Sequence, residues 1–324
     1  MVMAQSLFIS LKARLPGSFL AVIAPAWTEP LLARMPEVDL SVPAAFSHGK
    51  LGLAERRAQA RKLRELAFDQ AIVLPRSIKS ALAPWMARIP RRTGFRGEMR
   101  YGLINDMRVL DKTALPLTVE RFVSLGSEQA ITRVTEYPKP ALRVDQSAIE
   151  VALDDLGLDR ERPIVALCPG AEYGGAKRWP VRHFATLAQQ LAENGYQVWL
   201  FGSQKDAALS AKIQDLCGGV CTDLCGRTRL GEAIDLMSLA CAAVSNDSGL
   251  MHVAAGLGVP LVALYGSSSP QFTPPLADDA TVLNLKLECS PCFKRECPLG
   301  HLNCLEQLQP EQVFKALLLP GRRL

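Results

Sequence analysis

The chain has 324 residues, of which 48% are hydrophobic and 21% are charged; this balance is typical of soluble globular proteins, and the length suits two domains of about 150 residues each. No run approaches the ~20 apolar residues of a transmembrane helix, and the start lacks the basic and apolar regions of a secretion signal. The formal net charge of +5 is too small to indicate nucleic-acid binding, although it fits a peripheral encounter with an anionic membrane.

The first half of the chain alternates predicted helices and strands. Met3, Leu7, Leu11 and Leu15 have helical spacing, so the chain begins inside a helix. Strands over residues 19–24, 38–42 and 70–74 then alternate with helices over residues 52–67 and 77–89, which predicts a doubly wound α/β sheet. In a Rossmann-like domain a buried strand and a ligand-binding turn precede the first helix. We therefore expect the natural start to lie upstream of Met1.

Basic residues are clustered beside and after the last of these helices. Arginine binds phosphate and carboxylate groups through two parallel hydrogen bonds. The cluster therefore predicts contact with an anionic ligand or a membrane surface, and the alternative is solubilising charge without a specific partner. Its members are Arg76, Lys79, Arg88, Arg91, Arg92, Arg96 and Arg100.

The second half opens with a polar linker over residues 142–162, which has one helical stretch near residues 148–156. A strand at residues 163–168 then leads into a glycine-rich loop that contains Lys177 and Arg178, and a helix over residues 181–194 follows. Glycines let the backbone approach a ligand and a lysine supplies a point charge, so the loop suits a phosphate group. The alternative is a solvated basic loop.

Residues 242–266 predict a strand, a turn, a helix and a second strand. The first strand covers residues 242–245, and Gly258 and Pro260 end the helix before the next strand. Asp247 or Ser248 in the turn can cap the helix, while Gly249 lets backbone N–H groups come close to a ligand. The turn is a candidate site for an anion or a sugar hydroxyl, and simple helix capping is the alternative.

No G-x-G-x-x-G motif opens either half, which argues against a nicotinamide-dependent dehydrogenase. Four segments instead resemble the ADP-heptose:lipopolysaccharide heptosyltransferases of glycosyltransferase family 9. They are residues 92–102, 168–180, 246–252 and 268–275, and the resemblance extends over essentially the whole chain.

The resemblance implies an α/β fold of the GT-B type, in which two Rossmann-like doubly wound domains face each other across a cleft. The expected acceptor-binding domain covers residues 1–145 and lacks its first strand. The expected domain that binds the donor ADP-heptose covers residues 160–308. A C-terminal helix over residues 309–324 is expected to pack back across both. The implied reaction is an inverting, metal-independent transfer of heptose from ADP-heptose to heptose I of the lipopolysaccharide inner core.

The resemblance also implies the residues that bind the two substrates. Lys177 would neutralise the donor diphosphate, and Asp247 would take sugar hydroxyls. The full expected donor set is Gly170, Glu172, Lys177, Asp247, Ser248, Gly249, Leu250 and His252. The acceptor, heptosyl-Kdo-lipid A, is acidic, and Arg92, Arg96 and Arg100 are its expected contacts.

The resemblance also implies roles for two further segments. Residues 202–206 would lie near the adenosine, with Lys205 or Asp206 as contacts and helix capping by Ser203 as the alternative. The general base of the family is an aspartate in a Gly-Asp pair, which would stand before Met1. Because this sequence does not contain it, a catalytically impaired ADP-sugar-binding protein stays open as an alternative, as does a GT-B nucleotide-sugar epimerase.

The partners implied by the resemblance are ADP-heptose, the lipopolysaccharide acceptor and the cytoplasmic face of the inner membrane. We expect a cytoplasmic monomer, peripheral to that membrane, which has no nucleic-acid partner and no cofactor.

The nine cysteines fall into two groups. Five stand singly and are expected to be reduced thiols. The other four, Cys289, Cys292, Cys297 and Cys304, begin with a C-x-x-C pair and could hold a structural zinc ion. Their later spacing is irregular, however, which favours a loop held by packing or, less often, by a disulfide.

Overall fold

The structure is a computed structural model that describes residues 1–44, 52–129, 131, 133–317 and 319. The chain divides into two compact units, one formed by Met3–Lys139 and one by Pro140–Leu324. None of the helices in these described ranges combines the length and apolarity needed to span a bilayer.

The first unit contains five helices and five strands within its described residues. The helices are α1 (Gln5–Arg14), α2 (Glu29–Leu32), α3 (Leu53–Glu65), α4 (Ile78–Met86) and α5 (Thr118–Leu125). The strands are β1 (Ala21–Ala24), β2 (Leu40–Pro43), β3 (Gln70–Ile72), β4 (Arg91–Phe95) and β5 (Asp106–Arg108). All pairs of neighbouring strands are parallel, with the orders β1-β2 and β3-β4-β5. The predicted single sheet of this half is therefore two parallel sheets in the part that the structure describes.

The second unit has seven helices and six strands in its described residues. The helices are α6 (Gln146–Leu156), α7 (Val181–Glu193), α8 (Ala207–Cys217), α9 (Leu230–Met237), α10 (Gly249–Gly256), α11 (Asn303–Glu306) and α12 (Pro310–Ala316). The strands are β6 (Ile164–Cys168), β7 (Gln197–Leu200), β8 (Cys221–Asp223), β9 (Ala240–Asn246), β10 (Leu261–Leu264) and β11 (Ala280–Leu283).

These six strands form one parallel sheet in the order β11-β10-β9-β6-β7-β8. Every residue of β6 and of β10 is buried, because helices cover both faces of a parallel sheet and leave no face for water. One of these helices is α7. Its apolar residues Phe184, Leu187 and Leu191 recur at helical spacing, and all three are fully buried in the core. The predicted α/β class is confirmed.

Two helices near the predicted domain boundaries pack within the second unit. The predicted linker belongs to the second unit, because Ile149, Ala152 and Leu153 of α6 are buried and α6 packs against α9. At the other end, α12 packs against α7 of the same unit, with Val313 in the common core.

Candidate functional site

The order of the strands in the second unit fixes where a ligand can bind. β6 lies in the middle of the sheet; the chain continues to β7 and β8 on one side and then returns to β9 on the other. The carboxyl ends of β6 and β9 are level, since Cys168 pairs with Ser245. In open parallel sheets the loops diverge at such a point and leave a crevice, which is the usual ligand site.

A lysine and an aspartate meet at this point. Lys177 follows β6, Asp247 follows β9, and the Lys177 Nζ lies 2.5 Å from the Asp247 Oδ2. The Asp247 side chain is 6% exposed and that of Lys177 is 18% exposed, so water screens the pair poorly. The two residues that the sequence predicted for the diphosphate and the sugar hydroxyls are therefore brought together.

Asn246 ties the two loops to each other, a role that the sequence did not predict. Its side-chain Oδ1 accepts a hydrogen bond from the Trp179 backbone N–H at 3.0 Å, and its Nδ2 donates to the Pro169 carbonyl at 2.7 Å. The amide thus holds both ends of the glycine-rich loop that carries Lys177. A buried asparagine beside the predicted turn was the available signal, because such a residue needs partners for its amide.

The start of α10 is open. Ser248 occupies the N-cap position, yet its side chain makes no capping hydrogen bond within the described residues; its Oγ lies 3.3 Å from the Ser245 Oγ instead. A Cβ added to Gly249 would meet no atom of the described chain within 4 Å. The capping alternative for Ser248 is therefore wrong, and the first N–H groups of α10 are available to an anion.

The other two expected residues of α10 lie in its first turn. Leu250 and His252 are half-buried. Burial lowers the pKa of His252 to about 4, and Lys177 adds to this shift while Asp247 opposes it. The imidazole is consequently neutral at pH 7 and can both donate and accept a hydrogen bond.

The remaining expected donor residues have local partners. A Cβ on Gly170 would lie 2.6 Å from the Asp206 Oδ1, so glycine is needed there to make room for that carboxylate. Asp206 in turn accepts hydrogen bonds from the N–H and Oγ of Ser203, while the Ser203 side chain makes no capping hydrogen bond to the following helical turn within the described residues. Glu172 is exposed and pairs with Lys205 at 2.6 Å; the hydrogen bond from this lysine lowers the pKa of Glu172.

In the first unit, the three arginines expected to bind the acceptor have different surroundings. Arg100 is fully buried, and its guanidinium donates to the carbonyls of Pro75 and Phe95. Its predicted contact with an acceptor is therefore wrong, since no part of the side chain reaches the surface. Arg92 is half-buried and donates to the carbonyls of Ile89 and Leu103. Arg96 is exposed, so the prediction stands best for this residue.

The cysteines are all free thiols. Burial raises the pKa of Cys168 to about 12 and that of Cys304 to about 11. Cys297 differs, because hydrogen bonds from backbone N–H groups, first that of Leu302, lower its pKa. Among the described residues, no group of three or more histidine, cysteine or acidic side chains is placed to hold a metal ion.

The fold and this site define a class of protein: an α/β protein with a lysine–aspartate pair and an uncapped helix start at the switch point of a parallel sheet. A family model described as "Glycosyltransferase family 9 (heptosyltransferase)" matches residues 56–303. Lipopolysaccharide heptosyltransferase 2 of Salmonella typhimurium is 48% identical, over 98% of this chain and 94% of the relative. The protein of the same name from Escherichia coli K12 is 47% identical over the same shares. This chain belongs to glycosyltransferase family 9.

Solved structures agree with this family assignment. The E. coli ADP-heptose lps heptosyltransferase II matches with a TM-score of 0.86 at 45% identity, over 98% of this chain and 93% of that one. A glycosyl transferase family 9 structure from Veillonella parvula has a TM-score of 0.83 at 22% identity, which shows the common fold. The GT-B type of fold is thereby confirmed.

Proposed function

We propose that this glycosyltransferase transfers heptose from ADP-L-glycero-D-manno-heptose to heptose I of the lipopolysaccharide inner core. The observation that carries the proposal is the pairing of Lys177 with Asp247 at the switch point of the second unit, 2.5 Å apart. The relatives named as heptosyltransferases, which align over 98% of this chain, support the heptose and the core acceptor.

The donor would occupy the open start of α10. Its diphosphate accepts hydrogen bonds from the first N–H groups of the helix, whose dipole favours negative charge, and Lys177 supplies an ammonium group. Asp247, released from part of its contact with Lys177, accepts hydrogen bonds from the heptose hydroxyls. The neutral His252 adds a donor or an acceptor without changing the charge of the site.

The transfer step follows from this arrangement. A base takes the proton from a hydroxyl of the acceptor heptose, that oxygen attacks the anomeric carbon of the donor, and ADP leaves from the opposite side with inversion. Lys177 and the α10 N–H groups act on the leaving group, because its negative charge grows as the bond to carbon breaks. We assign the base to none of the residues described above.

The acceptor side of the proposal is supported by an exposed surface of the first unit. Met99 is 85% exposed and Tyr101 is 69% exposed, and the exposed Arg96 lies in the same connection between β4 and β5. Apolar and aromatic side chains next to arginine suit the boundary between lipid headgroups and acyl chains. We therefore propose that the protein works at the cytoplasmic face of the inner membrane, on an acidic glycolipid.

The test is the release of ADP from ADP-heptose in the presence of heptosyl-Kdo-lipid A, with wild-type protein and with Asp247→Asn. We expect acceptor-dependent release by the wild type and a loss of at least 100-fold in kcat/KM in the variant. Asp215→Asn is the matched control, because Asp215 is exposed on α8. Release of a free sugar without any acceptor would indicate an epimerase instead, and donor binding without ADP release would indicate a binding protein.

A further inference from the structure

The cysteine-rich segment lies against the loop that carries Lys177. Residues 290–296, which we call the strap, make hydrogen bonds to two loops at the carboxyl end of the sheet. On one side, the Ser290 Oγ donates to the Gly266 carbonyl at 2.6 Å and the Phe293 N–H donates to the Ser267 carbonyl at 2.7 Å.

On the other side, the strap contacts the glycine-rich loop. The Tyr173 Oη donates to the Phe293 carbonyl at 2.9 Å, and the Ala176 N–H donates to the Arg295 carbonyl, also at 2.9 Å. A Cβ on Gly174 would lie only 2.4 Å from that carbonyl oxygen. The strap thus bridges the loops after β6 and β10, whose strands flank β9 and its Asp247 in the sheet.

These backbone contacts place a second cation on the Tyr173 ring, which Lys177 also contacts. The guanidinium carbon of Arg295 lies 5.5 Å from the centroid of the Tyr173 ring, and the Lys177 Nζ lies 5.2 Å from the same centroid. The negative face of an aromatic ring attracts cations, so Tyr173 is a contact that both side chains share. No carboxylate of the described residues forms an ion pair with Arg295.

The charge of the donor requires more than Lys177. The ammonium group of Lys177 is already balanced by Asp247, so the pair has no net charge, and the dipole of α10 contributes only about half an elementary charge. A diphosphate diester such as ADP-heptose carries two negative charges, and ADP as the leaving group carries more. An arginine suits the missing contact, because its planar fork binds phosphate through two parallel hydrogen bonds.

We propose that Arg295 binds the diphosphate of the sugar nucleotide together with Lys177, and that the strap and the Tyr173 ring hold its guanidinium in place. The proposal rests on the function given above and extends it by one substrate-binding residue. Arg295 neutralises the charge of the leaving ADP that the Lys177–Asp247 pair leaves unbalanced.

The experiment compares Arg295→Gln with Lys294→Gln by calorimetric titration with ADP and with adenosine. Lys294 is the matched control, because it is exposed on the same strap and its substitution removes the same charge. We expect Arg295→Gln to weaken ADP binding about 10- to 100-fold, the range of a lost charged hydrogen bond, and to leave adenosine binding unchanged. Arg295→Lys should recover part of the loss, since it keeps the charge but not the planar fork.

The outcomes separate this proposal from the proposed function. Equal ADP affinities of Arg295→Gln and Lys294→Gln would overturn the role of Arg295 and leave the function intact. An equal loss for ADP and adenosine would also overturn it, because the variant would then have disturbed the loop and not a phosphate contact. Wild-type protein that binds neither ADP nor ADP-heptose would overturn both. If all variants melt at the same temperature as the wild type, the backbone contacts of the strap persist in them.

Discussion

Removing the cation from the Lys177–Asp247 pair should destabilise the second unit as well as abolish donor binding. Lys177→Met leaves the Asp247 carboxylate, 6% exposed, without its charged partner. Breaking a buried ion pair on one side costs about 3–5 kcal/mol, and we expect about 3 kcal/mol because Lys177 itself is 18% exposed. For a unit of this size, such a loss lowers the melting temperature by roughly 6–12 °C.

The double variant Lys177→Met/Asp247→Asn separates the two effects. It removes both charges, so we expect it to recover about 1–3 kcal/mol of the stability that the single variant loses, while donor binding stays absent in both. Urea unfolding can be followed through tryptophan fluorescence, because Trp179 and Trp199 are buried in the second unit whereas Trp27 and Trp85 of the first are exposed.

The control for this cycle is Arg182→Gln, which removes the exposed end of the ion pair between Arg182 and Glu306. An exposed ion pair contributes little to stability, so the variant should unfold at the same urea concentration as the wild type. Equal stability losses in the single and double Lys177 variants would refute the reasoning, since the two side chains would then not interact in the donor-free protein.

Three further predictions concern single residues. Gly249→Ala should leave the protein as stable as the wild type, because a Cβ there meets no described atom within 4 Å, yet it should raise the donor KM; an unchanged KM would place the donor elsewhere. His252 has a folded pKa of about 4, below its unfolded value of about 6.5, so wild-type stability should fall as pH drops from 6.5 to 4, by up to about 1.4 kcal/mol per pH unit. In urea titrations the free energy of unfolding of His252→Gln should fall less over that pH window than that of the wild type. An equal fall in both proteins would contradict the burial of this imidazole. Iodoacetamide followed by peptide mapping should modify Cys297 before Cys168, because the pKa of the first thiol is lowered and that of the second is raised to about 12; faster labelling of Cys168 would contradict these environments.

The local pattern of the sequence was sufficient for the two strands that lead into the candidate site. The apolar run before Pro169 and the run before Asn246 were both predicted as strands, and the structure has β6 and β9 there. In the first unit, β4 was missed, because Arg91 and Arg92 made this segment resemble a basic surface loop. A strand that begins with two charged residues lacks the apolar run on which the prediction depended.

The cationic cluster shows where residue type misleads. Arg96 and Arg100 look equivalent in the sequence, yet the chain turns after β4 so that Arg96 is exposed while Arg100 donates to buried carbonyls. The spacing of the four late cysteines favoured a loop held by packing, but it did not show that residues 290–296 form a strap against the glycine-rich loop.

The sequence by itself determined the α/β class, the ends of the two strands that lead into the candidate site, and the residue types that follow them. It could not determine that Lys177 and Asp247, 70 positions apart, form an ion pair, because that contact depends on β6 and β9 being neighbours. Strand order, burial and the path of the strap are decided by long-range packing of the whole sheet, and periodicity within a short segment carries no information about it.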